Sequence, residues 1–169
     1  MAKWGKADFK ELEELQRKIE QAANADFDAL CIEISKDLAK RFLAKVKKRT
    51  PVGVRPEQGT LTDEEYSAYW GSYTGGTLRR GWTIGAITRK ANGYEVEIIN
   101  PVEYASYVEF GHRQTPGRYV PQIGKSLKKA WAPGKFMMTF TEQEIRNMAP
   151  GLIQKRFEKF LREVMGSGQ

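Results

Sequence analysis

Six apolar residues, Phe27, Leu30, Ile34, Leu38, Phe42 and Val46, recur at spacings of three and four. They draw one stripe along about five turns of an α-helix. A stripe of that length has to be covered by another layer, so the chain is committed to packing something across it. The helix is expected to stop at Pro51, because proline disfavours helical backbone at the preceding residue, here Thr50. A weaker stripe comes before it in Phe9, Leu12, Leu15, Ile19 and Ala22 or Ala23, with Asp8 and Glu11 spaced as a capping box. Asn24-Ala-Asp26 predicts a break between the two helices.

The chain has 169 residues, 40% of them apolar, which suits one domain with a helical extension. We read residues 1–25 as that N-terminal extension, 26–165 as a single domain and 166–169 as a flexible tail. One cysteine, Cys31, excludes an internal disulfide framework and a multi-cysteine metal site; it reads as a buried small hydrophobe. The first residues lack the apolar core of a secretory signal, and nothing approaches the roughly 20 apolar residues of a membrane span. The expectation is a protein made in the cytoplasm, with no membrane partner. A net charge of +7 favours acidic partners. Its clusters (Lys45, Lys47, Lys48 and Arg49; Arg79 and Arg80; Arg89 and Lys90; Lys125, Lys128 and Lys129) are not interleaved with aromatics as in a single-strand groove. Solvated faces explain most of them.

Between the long stripe and the first strand signal the chain changes character. Val52 to Gly76 is punctuated by Gly53, Pro56, Gly59, Gly71 and Gly75, and holds Tyr66, Tyr69, Trp70 and Tyr73. A loop of this length is usually functional or mobile, and four aromatics predict that it docks onto something on assembly. Thr62 to Tyr69 can form a short helix within it. Leu78 to Thr88 and Tyr94 to Asn100 read as strands, joined by a two-residue turn signal at Asn92-Gly93. Tyr119 to Ile123 and Leu127 to Trp131 suggest a further pair of strands or an extended arm. Phe136 to Val164 is helical, divided at Pro150-Gly151. The sum is an α+β fold: a small antiparallel sheet packed against a long N-terminal helix and a C-terminal helix, with long irregular loops.

Tyr104-Ala-Ser-Tyr-Val-Glu-Phe-Gly-His112 is the densest short element. As a helix it stacks Tyr104, Tyr107, Val108 and Gly111 on one face, points Glu109 elsewhere, and closes on a glycine suited to a left-handed stop. Catalytic signals are scarce. One histidine and one cysteine cannot build common zinc ligation, His112 has no nucleophile-elbow sequence beside it, and no phosphate-cradling glycine motif is present. Carboxylate pairs such as Glu95/Glu97 and Glu103/Glu109 acquire no role from spacing alone. The reading is therefore not an enzyme, with no cofactor and no metal. For His112 an ordinary hydrogen-bonded or surface histidine stands beside a recognition or switch role.

The order of these pieces carries a resemblance. Arg49-Thr-Pro-Val-Gly53 closes the long helix and Gly76-Thr-Leu-Arg-Arg80 leads into a strand. Asn100-Pro-Val-Glu-Tyr-Ala-Ser-Tyr-Val-Glu-Phe-Gly-His-Arg113 follows, then Trp131-Ala-Pro-Gly-Lys-Phe-Met137 and a helix. Over residues 27–165 this resembles the tail-component family of long-tailed bacteriophages and prophages, the neck or tail-completion proteins related to lambda's minor tail protein Z. The resemblance implies a non-enzymatic virion protein at the head–tail interface, assembled in a hexameric or dodecameric ring. It would meet the head connector or stopper and the tail terminator or tube proteins, and contact packaged DNA. It implies interface roles for Tyr66, Tyr69, Trp70, Tyr73, Arg79, Arg80, Tyr104, Tyr107, Glu109, His112 and Arg113. Structural roles fall to Gly76, Leu78, Gly111, Trp131, Gly134, Phe136 and Met137, the last two with Trp131 packing the C-terminal helix onto the sheet. The competing reading is a basic nucleic-acid-binding module of phage origin, and within the favoured class a tail terminator.

Overall fold

The computed structural model describes residues 10–91 and 93–166. The Asp8 cap, Asn92 of the hairpin turn and residues 167–169 of the expected tail lie outside them. The first helix, α1 (Lys10–Arg49), runs unbroken for 40 residues. The break expected at Asn24-Ala-Asp26 does not form: Asn and Asp keep their amides and disfavour a helix interior by only about 0.7 kcal/mol each. Burial deepens along the stripe, from Phe27 at 44% exposed to Phe42 at 9% and Val46 at 0%.

The helix ends as Pro51 requires, and Thr50 becomes the hub beneath it. Its hydroxyl donates to Val46 O at 2.6 Å and accepts from Trp82 Nε1 at 2.7 Å. Its carbonyl accepts both Arg79 Nε at 2.9 Å and a terminal guanidinium nitrogen at 2.7 Å. Phe42, Val46, Leu78, Trp82 and Met137 form the buried core.

After α1, the glycine-rich loop carries α2 (Asp63–Trp70), opened by a Thr62/Glu65 capping box, close to the bounds expected. Next comes α3 (Thr77–Gly81), where the sequence pattern predicts strand from Leu78 onward. Leu78 and Trp82 are four apart and both buried, a helical spacing that the alternation reading misassigns. The strands then follow as β1 (Thr83–Lys90) and β2 (Gly93–Ile99), an antiparallel pair whose half-buried Ile87, Val96 and Ile98 lie on the α1 side.

Helix α4 (Ala105–Phe110) leads into a ribbon. Its base pairs β3 (Gly111–Arg113) with β6 (Trp131–Pro133), and its outer part pairs β4 (Tyr119–Val120) with β5 (Lys125–Ser126) around a 3-10 turn at Pro121–Ile123. The expected strand pair is thus split into two short ladders, since Pro116 and Pro121 cannot donate to one.

The last helix, α5 (Met137–Gly166), continues through Pro150 without interruption, so the expected division is not seen. A proline removes one rung, toward Arg146 O, and α1 supports the helix on both sides of it. The two long helices run antiparallel. Lys45 and Arg49 hold Glu144 near one end, Arg156 meets Glu33 at 3.1 Å farther along, and Phe27 stacks edge-on against Phe157 at 6.2 Å near the other. The architecture is α+β, with small antiparallel sheets set against two long helices.

Candidate interaction site

The joint between α4, the ribbon and α5 is built on backbone proximity. Gly111 ends α4 at φ 83°, ψ 174°, an extended positive-φ conformation almost confined to glycine, in place of the expected left-handed stop. A β-carbon there would lie 2.4 Å from Ala132 O, and one on Gly134 would lie 2.3 Å from Glu109 O. The chain crosses itself with no side chain between, and Lys135 N and Phe136 N donate to Val108 O and Glu109 O at 2.8 and 3.0 Å.

That crossing aims the first turn of α5 at Glu109. The Glu109 carboxylate accepts from Met138 N at 2.9 Å through one oxygen, and from Thr139 N at 2.9 Å and Thr139 Oγ1 at 2.8 Å through the other. The residue is 6% exposed. It caps orphan amides at the positive end of the α5 dipole. The sequence reading points Glu109 away from the fold, toward a neighbouring subunit. In the structure both oxygens are engaged within the chain, because α5 returns over α4, a tertiary event that α4's own spacing does not encode.

Around this joint the other expected residues divide. Met137 is fully buried in the core, whereas Trp131 and Phe136 are partly exposed, Phe136 at φ 49° with its ring edge-on to Phe140 at 6.0 Å. Tyr107 and Phe110 are exposed, and His112 sits edge-on to Tyr107 at 5.7 Å. His112 Nδ1 is buried without a hydrogen-bond partner. Arg113, exposed, pairs opposite Trp131.

The glycine-rich loop is held by its own residues and by the ribbon turn. Tyr66 Oη donates to Pro56 O at 2.8 Å, Trp70 Nε1 to Gln122 O on the ribbon turn at 2.5 Å, and Tyr73 packs edge-on against Trp70 at 5.0 Å. Arg55 donates to Gly71 O and Tyr73 O. Of the four aromatics, Tyr69 alone is largely exposed, at 47%. Arg79 and Arg80 are both exposed residues; the Arg79 guanidinium donates to Thr50 O, and Arg80 lies over Gly76. Trp70, Tyr73, Gly76, Leu78 and Tyr104 converge on one cleft of 440 Å³, closed by Pro51, Val52 and Val108. Sequence reasoning gives no site role to Thr50, Val52 or Arg55, although the first two stand in the Arg49-Thr-Pro-Val-Gly53 segment.

A family model described as "Bacteriophage HK97-gp10, putative tail-component" matches residues 13–111, more than half of the chain. The chain belongs to this family. No curated protein and no solved structure matches it. The match runs from within α1 through α4 to Gly111, so every residue of the cleft lies inside it. As an HK97-gp10-like tail component the protein is a structural part of a virion. Among the described residues no His, Cys, Asp and Glu cluster is placed to hold a metal, and no helix is long and apolar enough to cross a membrane.

Proposed function

We propose that this HK97-gp10-like protein acts, without catalysis, at the head–tail interface, in neck assembly or tail completion. It would take its place in a ring, hexameric or dodecameric, that joins the DNA-filled head to the tail. Residues 26–165 form the assembling unit in this reading, with 1–25 as its helical extension. The observation that supports it most is the cleft of the family-matched segment, lined by Trp70, Tyr73 and Tyr104, together with the exposed Tyr69, Tyr107 and Phe110 of the same segment. Aromatics combining a large apolar body with a polar tip are enriched at protein interfaces. Connector, stopper, terminator or tube proteins are the partners that this surface would meet.

The test is electron microscopy of particles made when the gene carries a stop codon. Filled heads with unattached tails, or tails of abnormal length, are the expected products. Normal infectious particles would overturn the reading. Tyr104→Ala and Tyr69→Ala, which remove exposed rings, should reproduce the defect while leaving the purified protein folded.

A further inference from the structure

Between Glu109 and Glu142 the chain has no carboxylate, and it holds six cations there: Arg113, Arg118, Lys125, Lys128, Lys129 and Lys135. The rest of the sequence balances 22 Lys and Arg against 21 Asp and Glu, so this stretch supplies six of the seven net charges. All six side chains are exposed. The ion pairs among the described residues are all made by other cations.

Folding gives this composition a shape. Segments 111–120 and 125–133 run antiparallel throughout, because Gln114 N donates to Ala130 O, Gly117 N to Leu127 O and Leu127 N to Arg118 O between the two short ladders. About ten residues at ~3.3 Å each make a strip of roughly 30 Å. Its base is locked by the Gly111–Gly134 crossing, and its tip by Trp70 Nε1 on Gln122 O and Thr60 Oγ1 on Gly124 O at 2.9 Å. The cations therefore ride on a fastened ribbon.

We propose that the ribbon of residues 111–133, with Lys135 at its foot, binds the phosphate backbone of duplex DNA without sequence preference. Lysine is depleted from protein–protein interfaces, whereas rows of lysine and arginine match rows of phosphates. A two-stranded ribbon also has the width that the major groove of B-DNA admits. Tyr119 and Trp131, the exposed aromatics of the ribbon, are too few for the repeated stacking platform of a single-strand groove. The inference adds a ligand to the role proposed above. It is read from charge and shape alone, so its test on purified protein can fail while the assembly role stands, and the reverse.

The experiment is fluorescence anisotropy of a random-sequence 30-base-pair duplex (about three helical turns long) titrated with the full chain at several salt concentrations. With roughly four phosphates engaged, affinity should fall about 100-fold between about 50 and 200 mM salt. The triple substitution Lys125→Ala, Lys128→Ala, Lys129→Ala should weaken binding at least tenfold at the lower salt and flatten the salt dependence. Lys36→Ala, Lys40→Ala, Lys48→Ala makes the same change of net charge on α1 and should stay within about twofold of the unaltered protein. Circular dichroism melts identify any variant that has lost its fold; Arg118→Ala with Lys128→Ala then replaces it. The proposal is overturned if the duplex is not bound at low salt or if both triples weaken binding equally. It is also overturned if polyglutamate is bound as tightly as duplex, which would assign the ribbon to an acidic protein surface.

Discussion

Gly111 and Gly134 face each other so closely that a β-carbon on either would press on the other's amide nitrogen, at 2.8 Å from Gly134 N and 2.9 Å from Gly111 N respectively. No side chain at either position can be relieved by rotation, because the atoms it would meet are backbone. Gly111→Ala and Gly134→Ala should each destabilise the fold by about 3 kcal/mol or more. Gly117 gives the control: it shares a φ of 83°, but nothing lies within 4 Å of its β-carbon position. Gly117→Ala should lose only about 1 kcal/mol, the backbone strain alone. Urea unfolding of the three variants checks the ranking, and equal losses would mean that the crossing is looser than described.

Glu109 is expected to behave as a cap. Glu109→Ala strips acceptors from Met138 N, Thr139 N and Thr139 Oγ1 at once, and should reduce stability by about 2 kcal/mol. Glu109→Gln keeps one acceptor oxygen and should lose about half as much. Amide hydrogen exchange at Met138 and Thr139 should speed up more than at the centre of α5. An unchanged melting temperature in Glu109→Ala would return the residue to the surface role that its motif suggests.

What the sequence discloses and what it conceals follow one physical line. The stripe from Phe27 to Val46, the short helix from Thr62 to Tyr69 and the alternation from Tyr94 to Ile98 are local, and each has its element in the structure. The four aromatics of the loop stand out in the sequence as a group, and in the structure Trp70 and Tyr73 line one cleft with Tyr104. Glu109, Arg79 and Thr50 are different. Their roles arise from partners 29 to 32 residues away, and no spacing rule reaches that far. The glycine crossing is legible only as two glycines, and its meaning comes from β3 meeting β6.

Thr50 and Trp82 should be energetically coupled. Thr50→Val keeps the shape but leaves the buried Trp82 Nε1 without its acceptor, and Trp82→Phe removes the donor. Each single change should cost about 1–2 kcal/mol or more. A double-mutant cycle should return a coupling of about 1 kcal/mol. Additive losses would mean that the hydrogen bond contributes nothing beyond packing.

Acid should act on the clasp between the long helices. Hydrogen bonds from Lys45 and Arg49 hold the Glu144 carboxyl below its usual pKa. A carboxylate whose pKa is lower folded than unfolded binds its proton more readily in the unfolded chain. Its contribution is therefore complete above the unfolded value, about 4.3, and disappears as pH falls through the folded value. Glu144→Gln lacks that ionisation, so its urea midpoint should lie below that of the unaltered protein at pH 7. The two should converge as pH drops below about 4. The pair is partly exposed at both partners, so the gap at neutral pH should be small and shrink in high salt. A gap that holds constant from pH 7 to pH 3 would show that Glu144 contributes through packing and not through its charge.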